Sequence, residues 1–498
     1  MSLPVLSPAE MRRIEAQTFS SGVTADHLME QVGRRVAQAV AQFVSAQPNV
    51  TVYYGKGHNG GDALVAARYL AEAGCHVQLR PQESDPAKLA PLTAAKLYEF
   101  QSLERTPLFQ FSLDPRPTVI LDGLLGIGAT GPLREDIRAL TREINLQRST
   151  SNAQVFAIDI PTGLDAGTGA ADPDCVIADI TVAAGFAKTG LVADSATPFV
   201  GRLAVADLPD FRAPATFDAQ TATPASLAGL LPRRNFDSHK TQYGRVAIIA
   251  GSPGFTGAAI LCATGALRAG AGLVTLYATE DIQPILAVAA PPEVMVHPVK
   301  SYVEVLEQKH DVLAIGPGLG KERADEILYL VEFAEPPIVL DADALNIVAA
   351  HGPDVLARSA GPRLLTPHPG EMLRLFPESK ALSRLDTATQ FTARFAQSRS
   401  PITLLLKGAR TIVHQHGLPV SYNTTGHPAM GTGGMGDVLT GVCAALIGQH
   451  LSPYDAARLG AWLCGHAAEL SRASDSLTAL DVAHSLGPSL SHLRSNYL

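Results

Sequence analysis

Cysteine is scarce in this 498-residue sequence: Cys75, Cys175, Cys262, Cys443 and Cys464 are the only five, and no two form a CxxC pair. An odd and scattered set argues against a disulfide framework or a cysteine-built zinc site, and it makes a reducing compartment the default. Basic blocks are also missing. Lys and Arg total 39 against 47 Asp and Glu, a net charge of −8, which argues against a dedicated DNA- or RNA-binding protein but leaves small nucleotides open. The opening MSLPVLSPAEMRRIEAQ lacks an apolar core behind a basic start, so no secretory leader is expected. One uncharged run, Val246 to Leu267, is long enough to span a membrane, but Gly251-Ser252-Pro253-Gly254 breaks it into strand, loop and helix. A soluble, cytoplasmic protein without membrane or nucleic-acid partners is the expectation.

With 46% apolar and 17% charged residues, the chain can bury large cores, and its length suits two or three domains. Short β-rich apolar runs alternate with helical stretches, the pattern of parallel α/β sheets. Ser7-Pro8-Ala9-Glu10 forms a capping box that opens a helix to about Phe19, and a second helix is expected over 25–43. Strands follow near 50–54, 75–79, 118–121, 155–160, 180–184 and 201–206, with helices near 61–73 and 134–144. The proline-rich stretch from Leu208 to Ser226 lacks periodicity and reads as a connection between domains. Beyond it, strands are expected near 246–250, 273–278, 312–315, 338–340, 364–365 and 402–406. Strong helices are expected at 256–269, 434–447 and 453–471. The expected boundaries are residues 1–212 and 225–498.

Three glycine-rich loops mark the first half, each following a strand. Gly55-Lys56-Gly57-His58-Asn59-Gly60-Gly61-Asp62 satisfies GxGxxG, but Asp62 would put negative charge where a dinucleotide pyrophosphate sits, and no Lys-Ser/Thr closes a triphosphate loop. The second loop runs on from Asp122 through Gly126-Ile127-Gly128-Ala129-Thr130-Gly131-Pro132. The third contains Asp159, Thr162 and Asp165. Ligands of open parallel sheets collect at the carboxyl ends of strands, so the three loops can converge. Each aspartate, taken singly, is equally well a helix cap or a loop brace.

GHNGGD, LDGLLGIG and AIDIPTGLDA together resemble the NAD(P)H-hydrate epimerase domain, over roughly residues 1–210. His58 stands where that family has asparagine, Ala63 where it has glycine, and Thr162 where it has serine. The resemblance implies a Rossmann-like α/β/α domain in which residues 58–62 and 126–132 hold the nucleotide. It also implies that Asp159 contacts substrate and that Asn59, Asp122 and Thr162 bind K⁺. Such oxygen donors suit a hard cation, and Asp159 would serve as general acid/base at the hydrated ring carbon.

In the second half, Asn423–Gly441 reads NTTGHPAMGTGGMGDVLTG, and its glycines run into an apolar helix. Backbone donors at a helix start make an anion site, and Asp437 one turn in would reach a hydroxyl held over the same phosphate. The bland alternative is an aspartate that merely favours a helix N-terminus. GPGLG after Ile315, the Asp341, Asp343 and Asn346 run, His368 in LTPHPGE and Lys407 in KGAR each end a strand. As a set with SPGFTGAA, these segments resemble the ribokinase-like superfamily, specifically its ADP/ATP-dependent NAD(P)H-hydrate dehydratase branch, over about residues 225–498. The resemblance implies a ribokinase-like α/β/α domain in which Ala258, Gly318, His368 and Asp437 contact the hydrated nucleotide. Lys407, Gly408, Ala409, Arg410, Thr411 and Gly436 would hold the adenine nucleotide.

The implied function is bifunctional repair. One domain epimerises the R and S hydrates of NADH and NADPH (NADHX and NADPHX), and the other dehydrates the S form at the expense of ADP, with Mg²⁺. Two alternatives stay open: a small-alcohol or vitamin kinase, and a first domain that only binds nucleotide. Helical faces on both domains make a homo-oligomer the expected assembly.

Overall fold

The structure is a computed structural model that describes residues 3–44, 46–103, 116–231, 233–471 and 473–495. It separates into two compact units, Ser2–Phe217 and Asp218–Tyr497. Both are mixed α/β with parallel sheets, the class expected from the alternation of elements.

The first unit carries six parallel strands in the order His76–Pro81, Asn49–Tyr54, Thr118–Gly123, Gln154–Ile158, Ile180–Ala184 and Arg202–Ala206. Strand order reverses between Asn49–Tyr54 and Thr118–Gly123, which opens a crevice at their carboxyl ends. Helix His58–Glu72 starts directly in that crevice, three residues earlier than the glycines alone suggest. Helix Pro8–Ser20 is fixed at its start by the expected capping box: Glu10 N donates to Ser7 Oγ (3.3 Å) and Ser7 N to Glu10 Oε2 (2.8 Å). A short parallel pairing sets Leu6 opposite Lys188.

In the second unit, seven parallel strands run in the order Val294–Val299, Leu273–Thr279, Arg245–Ile249, Val312–Ile315, Ile338–Leu340, Arg363–Leu365 and Ile402–Leu406. Antiparallel Ile412–Gln415 and Val420–Asn423 extend the sheet. Ala219–Ala222 then pairs with Val420–Asn423, so part of the stretch read as a connection is a buried strand. Its Thr and Gln carry too little apolar signal to mark a strand, yet Gln220 and Thr221 are buried.

Helices Thr256–Arg268 and Met435–Gly448 cross with their backbones nearly touching. A Cβ on Gly441 would stand 1.9 Å from Cys262 O, and one on Gly265 2.4 Å from Val438 O. Any side chain at either glycine forces the helices apart. Their close approach sets Leu261 of the first helix against Gly434 at the start of the second.

Candidate active sites

In the first unit, a cavity of about 550 Å³ opens at the strand ends. His58, Asn59, Asp62, Gly126, Ile127, Gly128, Ala129 and Asp159 line it, as do Arg12 and Glu15 from the first helix. Gly60 and Gly61 are buried and face inward instead: added Cβ atoms would meet Gly55 O at 2.1 Å and Met29 Cε at 2.4 Å. Thr130, Gly131 and Pro132 are exposed, outside the cavity wall.

Asp159 follows its strand with φ +67°. That left-handed conformation costs a residue other than glycine about 1–2 kcal/mol, and it turns the carboxylate back over the sheet. There Oδ1 accepts from the Lys188 ammonium and Ala184 N (3.3 Å), and Oδ2 from Ile127 N (3.3 Å). Lys188 is 1% exposed and also donates to Ala184 O (2.9 Å). Asp62 and Glu15 complete an acidic wall around this pair. Burial raises the pKa of Asp62 well above the carboxylate range, with the Asp159 and Glu15 charges adding to the shift. Glu15 is also raised, chiefly by burial, against the pull of Lys188. The cavity therefore sets a carboxyl group whose charge is disfavoured beside an ion-paired carboxylate.

Beneath it, Asp122 is fully buried and pairs with no cationic side chain among the described residues. Its oxygens accept from Thr162 N (2.8 Å), Thr162 Oγ1 (2.7 Å) and Leu124 N (3.3 Å). Burial nonetheless pushes its pKa up to about 6. Asn59 Nδ2 donates to Leu125 O (3.0 Å), and Thr162 Oγ1 accepts from Leu125 N (3.1 Å). Asn59, Asp122 and Thr162 thus meet around one turn.

In the second unit, Gly434 caps helix Met435–Gly448 with φ +87°, where a Cβ would strike Leu261 Cδ1 at 2.5 Å. Asp437 stands in the first turn, half-buried. Burial, then the nearby Asp341 charge, pushes its pKa up to about 7 against the opposing Lys407. Lys407 Nζ donates to Asp341 Oδ1 (2.7 Å), lies 3.8 Å from Glu371 Oε2, and sits 3.2 Å from where a Gly436 Cβ would be. Burial disfavours charge on Lys407, but Asp341 and Glu371 outweigh it and raise its pKa. Thr440 Oγ1 closes the cluster on Asp341 Oδ2 (2.9 Å).

The other expected residues fall into separate groups. Gly318 backs against Ala258, whose Cβ is 3.0 Å from the position a Gly318 Cβ would take. His368 is exposed and caps Pro369–Leu375: its Nδ1 accepts from Gly370 N (3.0 Å), so Nε2 carries the proton. Gly408 and Ala409 are exposed, whereas Arg410 and Thr411 are buried. Arg384, which the sequence reading missed, pins this loop through Arg410 O (2.9 Å), Leu406 O (3.1 Å) and Lys407 O (3.3 Å). If residues 407–411 hold the adenine nucleotide, Arg384→Ala raises the KM for ADP roughly tenfold, the worth of a lost charge-assisted bond. The KM for the other substrate should stay put in initial-rate measurements.

Lys188 was missed as well. Its signal was a single charge in the otherwise uncharged run from Ile180 to Ala193.

The chain is similar to known proteins over both units. The chain matches the family described as YjeF-related protein N-terminus over residues 25–190, and the one described as NAD(P)H-hydrate dehydratase over 246–487. A bifunctional NAD(P)H-hydrate repair enzyme of Moorella thermoacetica is 36% identical, over 93% of this chain and 92% of its own length. The chain belongs to the bifunctional NAD(P)H-hydrate repair enzyme family. A relative of the same name from Escherichia coli is 37% identical over 90% of this chain and 86% of its own. Among solved structures, the ADP/ATP-dependent NAD(P)H-hydrate dehydratase of Bacillus subtilis, co-crystallised with ATP and Mg²⁺, is 28% identical. It covers 56% of this chain and 100% of its own, with a TM-score of 0.49. Among the described residues, no helix is long and apolar enough to cross a membrane.

Proposed function

We propose that the chain restores damaged nicotinamide coenzymes by two reactions. The first unit, about residues 1–212, interconverts R- and S-NAD(P)HX. The second, about residues 225–498, dehydrates the S form with ADP, giving NAD(P)H, AMP and phosphate. The observation that carries this reading is the placement of Asp437 on a glycine-capped first helical turn, beside the Lys407–Asp341 pair.

In the second unit, Asp437 takes the proton of the ring hydroxyl as its oxygen bonds to the terminal phosphorus of ADP and the bond to AMP breaks. Loss of phosphate follows, driven by the ring-nitrogen lone pair, and loss of a proton from the neighbouring carbon restores the dihydropyridine. Asp341 and Glu371 face the Lys407 ammonium and Asp437 feels its charge, an excess of negative charge that suits a divalent cation held by two carboxylates and the phosphates. Asp341 and Glu371 would hold Mg²⁺, which supplies charge neutralisation of the phosphoryl oxygens. Lys407 keeps the two carboxylates in place, and the amides around Gly436 face the transferring group.

In the first unit, Asp159 serves as general acid/base at the hydrated ring carbon while Lys188 holds its carboxylate, and Asp62 is the second carboxyl group of the same wall. Asn59, Asp122 and Thr162 would hold K⁺. The fit rests on Asp122, a buried carboxylate without a cationic partner among the described residues. Replacing choline chloride by KCl at constant ionic strength should therefore raise the Tm of the first unit. At a hundredfold excess over Kd the gain is about 2.7 kcal/mol. Asp122→Asn should lose that response.

The function is tested by adding the protein, ADP and Mg²⁺ to a mixture of hydrated NADH epimers and following NADH absorbance. Complete recovery is expected. No recovery with any adenine nucleotide overturns the dehydratase assignment. A homo-oligomer in the cytoplasm remains our expectation for its state in the cell.

A further inference from the structure

A loop and two helices of the second unit, Ala342–His351 and Pro369–Leu375, are tied by a run of hydrogen bonds that the phosphoryl transfer does not use. Asp343 Oδ2 accepts from Gly320 N (3.0 Å), Asp343 Oδ1 from Asn346 Nδ2 (3.3 Å), and Asn346 Oδ1 from Arg374 Nε (2.8 Å). The run starts in the wall of a cavity of about 900 Å³, where Gly320 and Asp343 lie beside the Ser252–Phe255 loop. It ends at an exposed guanidinium.

The arginines of this unit differ in their partners, and Arg363 and Arg384 bind backbone carbonyls. Arg323, Arg358 and Arg458 face the carboxylates of Glu326 (3.1 Å), Glu332 (2.8 Å) and Asp455 (3.0 Å). The partner of Arg374 is a neutral amide oxygen, and its two terminal nitrogens have no partner among the described residues. Its charge is therefore uncompensated, while Nε fixes the plane of the group. A guanidinium held in this way presents a ready fork for two phosphoryl oxygens. Its position also fits. A Cβ on Gly370 would lie 2.9 Å from His368 Cε1 and 4.0 Å from Arg374 Nη1, so imidazole and guanidinium flank the same glycine. Lys407 is engaged by Asp341 and Glu371.

We propose that Arg374 binds the phosphate attached to the nicotinamide riboside of the hydrated coenzyme, and so sets the position of its ring over Asp437. The Asn346–Asp343–Gly320 run transmits that position to the Gly316–Gly320 loop. This inference rests on the dehydratase reading above.

The test uses the full chain with ADP and Mg²⁺ and three hydrated substrates: NADH, reduced nicotinamide mononucleotide and reduced nicotinamide riboside. The riboside is read as a competitive inhibitor where its turnover is too slow to follow. Arg374→Ala should raise the KM for the first two about ten- to a hundredfold, the worth of a charge-assisted bond, with kcat within about twofold. Wild type and variant should handle the riboside alike, and Arg374→Lys should recover part of the loss. An equal loss on the riboside, sensitivity confined to the dinucleotide, or a fall in kcat at constant KM overturns the inference. Inactivity of the wild type overturns the dehydratase reading and this inference with it; wild-type activity with an insensitive KM overturns the inference alone.

Discussion

Asp437→Asn is expected to slow dehydration of S-NADHX by roughly 10²- to 10⁴-fold, the usual range for a positioned general base. Asparagine keeps the size and the helix-start position of Asp437, so the fold should survive. It removes the one group placed to accept the hydroxyl proton at the phosphoryl site. The environment explains why a carboxylate can do this at neutral pH. Burial and the Asp341 charge push the Asp437 pKa up to about 7, and Lys407 limits the rise. The base works only when deprotonated, so the rate of the wild type should fall as pH drops through the Asp437 pKa, which Mg²⁺ at Asp341 and Glu371 would lower from its metal-free value. A plot of log kcat against pH, with slope near one on the acid side, checks the sign. Rapid mixing of S-NADHX, ADP and each protein checks the magnitude.

Asp159→Asn should abolish catalysed epimerisation and leave dehydration untouched. In a mixture of epimers, the variant should restore the S fraction quickly, then proceed only at the spontaneous rate of R-to-S conversion. The reason lies in the pair with Lys188. The substituted amide can still accept a bond from Ile127 or Ala184, but it cannot pair as an ion with a lysine that is 1% exposed. A buried ammonium without its counter-charge is strongly destabilising, so the Tm of the first unit is read alongside the rate. Lys188→Met in the Asp159→Asn background removes the stranded charge. It should recover stability without recovering epimerisation, which separates a chemical role from a structural one.

What could be read from the sequence was whatever lies close together along it. GHNGGD and HPAMGTGGMGD each put loop, helix start and acid within one short segment, LDGLLGIG puts strand end, acid and loop together, and Asp62, Asp122, Asp159 and Asp437 all stand at strand or helix ends. The parallel α/β class was legible for the same reason, because runs such as Val246–Ile249 are buried on both faces and read as continuous apolar strands. Long-range pairings were not legible. Lys188, on the short strand that pairs with Leu3–Leu6, meets Asp159 across a long stretch of sequence. Arg374 reaches Asn346, and Arg384 reaches the 406–410 carbonyls, through packing of successive crossovers. Gly60 and Gly61 teach a related lesson. Their place in a nucleotide loop suggests ligand contact, yet the structure uses their missing side chains to pack the helix start against Gly55 and Met29.

Purified R-NADHX tests most directly the claim that one chain carries two separable activities, if each epimer and NADH is followed by chromatography in the presence of ADP and Mg²⁺. The wild type should convert R through S to NADH far faster than R epimerises spontaneously. Asp437→Asn should equilibrate R with S and form no NADH, whereas Asp159→Asn should leave R to its spontaneous conversion. Formation of NADH from R by the Asp159→Asn protein at the wild-type rate, or failure of the Asp437→Asn protein to produce S, would contradict the account.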